Sequence, residues 1–156
     1  SMQGKVIAKN EEFFLKNQQG ELEFTLLAEG IRKLGLLWVL IQNGTLINGS
    51  VLFWDEPETN LNPKLMRTVV EILITLQRMG VQLFISTHNY SLLKEFDLQK
   101  AATDQLLFHS LYRDGTGNIK VGSFTHYDEL TPNAIDEAFA GMLDREIQQA
   151  MGGLGR

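Results

Sequence analysis

The 156-residue chain carries 14 Lys+Arg against 19 Asp+Glu, a formal net charge of −5, no cysteine and 44% hydrophobic residues; this is the profile of one ordinary globular domain, or a large piece of one, long enough to bury a real core. The acidic balance leaves no overall cationic field to collect on a phosphate backbone, which argues against non-specific nucleic-acid binding by this chain alone. No cysteine means no disulfide or thiolate metal site, no window approaches the roughly 18 unbroken apolar residues of a membrane span, and Ser1-Met2-Gln3-Gly4-Lys5 lacks the apolar run of a secretory signal, so the default expectation is a cytoplasmic protein with no membrane partner. Ser1 before Met2 reads as a cloning scar, and the chain as a piece of a longer protein.

Taken in chain order, residues 4 to 25 hold three extended stretches, KVIA, EEFFLKN and ELEFTL, and Asn17-Gln18-Gln19-Gly20 supplies a turn, so a hairpin is expected. Residues 28 to 42 are apolar almost all round, from Ile31 through Leu34, Leu37, Trp38 and Ile41, and stop at Asn43-Gly44, which predicts a buried helix. The run Val51-Leu52-Phe53-Trp54 breaks off at Asp55-Glu56, the pattern of a strand covered on both faces with charge at its carboxyl end. Asn62 as N-cap and Pro63 at the first helical position open a helix from Lys64 to Met79 that Gly80 closes. A second buried strand, 81 to 86, ends in Thr87, His88 and Asn89. Strand, helix and strand make a right-handed βαβ unit with parallel strands, and open parallel sheets bind ligands beyond the carboxyl ends of their strands. Both polar clusters fall at that edge. A short helix near Ser91 to Phe96 follows, then a hairpin of 105 to 112 with 119 to 125, and last an amphipathic helix from Thr131-Pro132 that puts Ile135, Ala138, Phe139, Met142, Leu143 and Ile147 on one face, expected to pack on the body. The whole, residues 1 to 156, is read as a single α/β domain with a mostly parallel sheet.

The stretch VLFWDEPETNLNP is the most specific in the sequence. A hydrophobic strand lifts two adjacent carboxylates to a sheet edge, and phosphoryl transfer needs two such groups for different tasks. One holds Mg²⁺ directly or through water, since Mg²⁺ takes few protein oxygens; the other orients the water that attacks a γ-phosphate. A bare acidic pair is more often a surface turn, and it is the rest of the segment that favours chemistry.

With FISTHNY about 30 residues later, that stretch resembles the Walker B strand, D-loop and switch-histidine strand of ABC-type P-loop ATPases. It is most similar to the soluble AAA-like group that includes the overcoming-lysogenization-defect proteins, and more distantly to structural-maintenance-of-chromosomes heads. The resemblance covers residues 26 to 96. It implies a three-layer P-loop NTPase-like fold and an ATP-hydrolysing domain using ATP and Mg²⁺, whose heads close as a dimer on MgATP. It makes Asp55 the Walker B metal carboxylate, Glu56 the catalytic base and His88 the switch histidine that reaches the γ-phosphate. Thr59, Asn60, Leu61 and Asn62 fall in the D-loop, which in the family crosses the dimer interface beside the partner's nucleotide.

LLAEGIRKLGLL resembles the family's signature motif, a Ser-x-Gly opening a helix whose free N–H groups bind the opposite head's γ-phosphate. Gly30 matches the glycine; Ala28 stands where the serine is expected, and Glu29 between them places a negative charge beside an anion site. A buried core helix is the competing reading. The larger departure is that G-x-x-x-x-G-K-[ST] occurs nowhere in the 156 residues; GTGNIK at 115 to 120 sits in a hairpin turn and lacks the terminal GK[ST]. The chain therefore looks like the C-terminal part of such an ATPase with the P-loop half of the sheet absent, inactive alone. A second function class stays open, a degenerate ATPase-like module kept for dimerisation or partner binding without nucleotide.

His88, His109 and His126 show no ligand spacing, and no G-x-S-x-G elbow is present. Phe13, Phe14, Phe24, Trp38, Phe53 and Trp54 fit core packing better than base stacking, with Trp54 expected against a helix. Nucleic acid is an open partner for the parent protein but is not indicated by this chain, whereas self-association is expected through the sheet edge that a P-loop strand would occupy.

Overall fold

A computed structural model describes residues 5–9, 12–17, 20–23 and 29–153. The chain forms two compact units, residues 1–87 and residues 88–156.

In the first unit, β1 (Lys5–Lys9), β2 (Glu12–Asn17) and β3 (Gly20–Glu23) make a three-stranded antiparallel sheet in the order β1-β2-β3. The expected hairpin across Asn17 and Gly20 is its second half, with Asn17 paired to Gly20. Helix α1 (Glu29–Gln42) follows. Its C-terminus closes as the sequence predicts, with Gly44 at φ 75 and its N–H on the Ile41 carbonyl, a left-handed position that glycine fills without a Cβ penalty.

Strand β4 (Val51–Asp55) and strand β5 (Gln82–Ser86) run parallel, in the register Val51↔Gln82 through Asp55↔Ser86. Between them lies the crossover, a 3-10 turn at Pro63–Leu65 and helix α2 (Met66–Arg78). Asn62 caps the turn, its side-chain oxygen accepting from the Lys64 N–H at 3.0 Å, with Pro63 just inside. Gly80 at φ 89 ends the helix. The core of this unit gathers Leu37 of α1, Leu46, Leu76 of α2 and Val81, with Leu52, Trp54 and Leu83 packed on it. Trp54 thus meets helical side chains, as expected for the large residue on the inner face of β4.

The two strands are not covered on both faces. Burial alternates along each: Leu52 and Trp54 point inward, whereas Val51, Phe53 and Phe84 are exposed, Phe53 by 75%. An unbroken apolar run carries no alternation to show which face is open, and among the described residues nothing layers onto the outer one. Phe53 and Phe84, paired across the parallel register, stack there with centroids 4.8 Å apart and planes 10° apart. Phe53 is therefore a surface residue and not the core aromatic the sequence suggested.

The second unit begins with α3 (Tyr90–Gln99), whose N-cap Asn89 accepts from the Leu92 N–H at 3.1 Å. An antiparallel hairpin of β6 (Phe108–Arg113) and β7 (Ile119–Phe124) follows, in the predicted place. Its turn is organised by Asp114, whose Oδ1 accepts from the Thr116 and Asn118 N–H groups at 2.9 and 3.0 Å. Leu92, Phe96, Phe108 and Tyr127 are buried. Helix α4 (Ala134–Gly153) has the expected periodicity but not the expected packing. Phe139, Met142, Leu143, Ile147 and Met151 are all exposed, Phe139 while meeting Tyr90 edge to face.

Candidate functional site

The carboxyl end of the β4–β5 pair carries the two acids picked out by sequence. Asp55 is the last residue of β4 and is exposed; the register sets it opposite Ser86, whose hydroxyl donates to Asp55 Oδ1. One strand therefore supplies a carboxylate and its neighbour the donor that orients it. The Glu56 N–H extends the ladder by one bond, to the Ser86 carbonyl at 2.8 Å. The chain then turns sharply: Glu56 has φ 44 and Asn60 φ 61. Two non-glycine residues in left-handed conformations within five positions store backbone strain, and strain of this kind concentrates where a side chain has to be aimed.

The turn is held from three sides. Thr59 Oγ1 donates to Glu56 Oε2 at 3.0 Å. Lys33 of α1 places its ammonium on two backbone carbonyls of the same turn, Glu56 O at 3.2 Å and Thr59 O at 3.0 Å. Beneath it, Thr87 Oγ1 donates to Glu58 Oε1 at 2.5 Å, tying the turn to the end of β5. Glu58 is buried, and its Oε2 has no hydrogen-bond partner among the described residues. Lys33, Glu58 and Ser86 carry no role in the sequence reading, and Thr87 enters it only as a polar residue at the strand end. Lys33 left a signal, since it lies one helical turn after Gly30 on the same face. The Glu58–Thr87 tether left none, because it joins residues 29 positions apart.

Gly30 belongs to the same cluster. It is buried, and a Cβ built on it would meet Leu61 Cδ2 at 2.7 Å and the Asn60 carbonyl oxygen at 2.8 Å. The start of α1 thus packs directly on the backbone of the Asn60 turn, and this contact alone requires glycine. Glu29 is the first residue of α1, and Ala28 lies outside the described residues. Asn60 is exposed, and Asn62 is also exposed and caps the 3-10 turn. His88 follows Ser86 by two residues, is exposed, and opens the second unit, so Asp55, Glu56, Gly30 and Asn60 share one unit while His88 belongs to the next.

Among the described residues no three His, Cys, Asp or Glu side chains gather, so there is no all-protein cage. An exposed carboxylate with a hydroxyl beside it at a strand end fits Mg²⁺, which binds through one or two carboxylates and completes its shell with water and phosphate oxygens.

Compared with known structures, the fold resembles two ATPase heads. One is a chain from a structural study of ATP-driven dimerization and DNA-stimulated activation of SMC ATPases, with TM-score 0.58 and 13% identity over 94% of this chain and 83% of that one. The other is the Smc head domain of Pyrococcus furiosus, solved with an extended coiled coil and bound to the C-terminal domain of ScpA, with TM-score 0.57 and 14% identity over 92% of this chain and 33% of that one. This likeness shows an α/β fold like that of SMC ATPase head domains. The family described as "AAA domain, putative AbiEii toxin, Type IV TA system" matches residues 2–94, and the chain belongs to it. A 46-residue stretch is 44% identical to the Old nuclease of Escherichia phage P2; it amounts to 30% of this chain and 8% of that protein, so the chain spans only a small part of this relative. The resemblance to the C-terminal part of an ABC-type ATPase therefore holds. No helix among the described residues is long and apolar enough to cross a membrane.

Proposed function

We propose that this chain supplies the Walker B and D-loop side of a MgATP site in an AAA-family ATPase, and that the phosphate-cradling loop, absent from the 156 residues, comes from elsewhere in the parent protein. The observation that carries the reading is the turn after β4, where Asp55 is fixed by Ser86 and Glu56 is held by Thr59 in a left-handed backbone. A bound Mg²⁺ would neutralise charge on the β- and γ-phosphate oxygens. Asp55 would hold it, directly or through water. Glu56 would accept a proton from the attacking water, its carboxylate oriented by the Thr59 hydroxyl. His88 would donate to the γ-phosphate, and Asn60, Asn62 and the segment of Ala28, Glu29 and Gly30 would face the nucleotide of a second head, so that ATP closes a homodimer. Alone, the chain would be inactive, lacking its main phosphate-binding device. A cytoplasmic location is part of this reading, in keeping with the family. Nucleic acid is left to the parent protein.

A degenerate module, used for dimerisation or partner binding without nucleotide, is favoured by one observation: Gly30 is accounted for by packing alone. Calorimetric titration separates the two readings. MgATP is titrated into this chain, its Glu56→Gln variant and a form extended upstream to include a P-loop. Binding by the extended form supports the ATPase; no binding by any of them leaves the module.

A further inference from the structure

The second unit holds an open cleft of about 490 Å³ lined by Tyr90, Tyr127, Asp128, Asp136 and Phe139. Three sequence-distant elements build it: Tyr90 starts α3, Tyr127 and Asp128 form the 3-10 turn at Tyr127–Glu129, and Asp136 and Phe139 lie in the first turns of α4. Its volume is within the ordinary range of small-ligand sites. Tyr90 and Phe139 expose their rings at its walls above the buried Tyr127, in edge-to-face contact, Tyr90 with Tyr127 at 5.6 Å and Tyr90 with Phe139 at 5.4 Å between centroids. Such rings offer negative faces to a cation.

The carboxylates are unequally used. Asp128 already has a cation, Lys94, whose Nζ lies 2.5 Å from its Oδ1 and 5.1 Å from the Tyr127 ring centroid. The donors to Asp136 are neutral: the Tyr127 hydroxyl reaches Oδ1 at 2.7 Å and Asn133 Nδ2 reaches Oδ2 at 3.0 Å. They fix the carboxylate without offsetting its charge, and each oxygen retains acceptor capacity. Burial, and then the bond to Asp136, push the Tyr127 hydroxyl up to about 12, so it remains a donor here. The Asp136 carboxylate disfavours an anion, and the aromatic lining favours an organic cation over a strongly hydrated metal ion. An organic cation is what remains, and the planar guanidinium suits it best, stacking on an aromatic wall while pairing with a carboxylate.

We propose that this cleft receives an arginine side chain from a partner polypeptide. Phe139, besides walling the cleft, begins the exposed stripe of Met142, Leu143 and Ile147 on α4. The occupant is therefore a segment whose arginine enters the cleft and whose neighbouring apolar residues cover that stripe. The site is independent of nucleotide chemistry.

The test uses the full chain and N-acetyl-arginine methylamide, followed through the NMR signals of the Tyr90, Tyr127 and Phe139 rings, with the neutral isostere N-acetyl-citrulline methylamide beside it. The arginine compound is expected to shift these rings saturably, and at least about tenfold more tightly than citrulline, as a charge-dependent contact requires. Asp136→Asn should remove that preference. Phe139→Ala, at an exposed position, should weaken arginine binding several-fold with the fold intact, which keeps the test sharp if Asp136→Asn unfolds. Equal binding of the two compounds, or no ring shift from either, overturns the proposal.

Discussion

The Thr59 hydroxyl donates to Glu56 Oε2 at 3.0 Å, so the residue proposed as base is oriented by a side chain three positions away within a turn whose backbone is left-handed at both Glu56 and Asn60. In a P-loop-containing form of the protein, Glu56→Gln should lower ATP turnover by at least about 100-fold, the usual share of a general base. Thr59→Val should lower kcat by about tenfold with KM nearly unchanged, because it removes a hydrogen bond that orients the carboxylate without touching nucleotide. Steady-state phosphate release reads both. A Glu56→Gln variant with wild-type turnover would remove Glu56 from the chemistry.

Gly30 makes a prediction about stability that requires no nucleotide. With the Asn60 carbonyl oxygen 2.8 Å from the position a Cβ would occupy, Gly30→Ala forces backbone apart from backbone. The variant should lose about 1–3 kcal/mol, although alanine is the better helix former. Urea unfolding of the chain alone measures it; an unchanged midpoint would mean that the helix start yields freely.

Tyr127 gives an alkaline limit. Its hydroxyl titrates near 12 in the folded chain against an ordinary value of 10. A raised folded value means that its contribution is complete below pH 10 and is lost as pH rises toward 12, since the unfolded phenol releases its proton first. Thermal melts across that window should fall steeply for the wild type and less steeply for Tyr127→Phe, which has no proton there to lose. Parallel slopes would refute this.

The stacked Phe53–Phe84 pair on the open face of the parallel strands is an exposed apolar surface of the kind that drives association. Light scattering at high concentration should show the chain self-associating and Phe53→Ser shifting it toward monomer, with less than about 1 kcal/mol lost because the side chain is already in solvent. A monomeric wild type would sink the expectation.

Much of this was legible in advance, and for local reasons. Asn62-Pro63 and Gly80 bracket α2 because caps and breakers act within a turn, and Val51–Trp54 ending in Asp55 predicts both the strand and the edge where its acids emerge. What sequence did not show depends on cover. An apolar run such as 51 to 54 looks the same whether one face or two are buried, and the α4 periodicity marks an apolar stripe without saying what lies on it. Likewise the sequence shows Gly30 opening a helix but not its packing partner, 30 residues downstream in the turn at Asn60 and Leu61. The Lys33 and Thr87 contacts that steady the site also join distant stretches of chain, beyond what spacing reveals.

The Gly30 contact also works mechanically. Because Gly30 brings no side chain of its own, the first turn of α1 sits directly against the Asn60 carbonyl and the Leu61 side chain, and close-packed matter transmits displacement with little loss. Lys33, one turn further along α1, grips the same loop through two carbonyls and resists its pulling away. Helix and loop are thereby coupled under both push and pull, like a pawl seated in its tooth, so a force on the front of α1 reaches the Glu56 carboxylate within a single turn of chain.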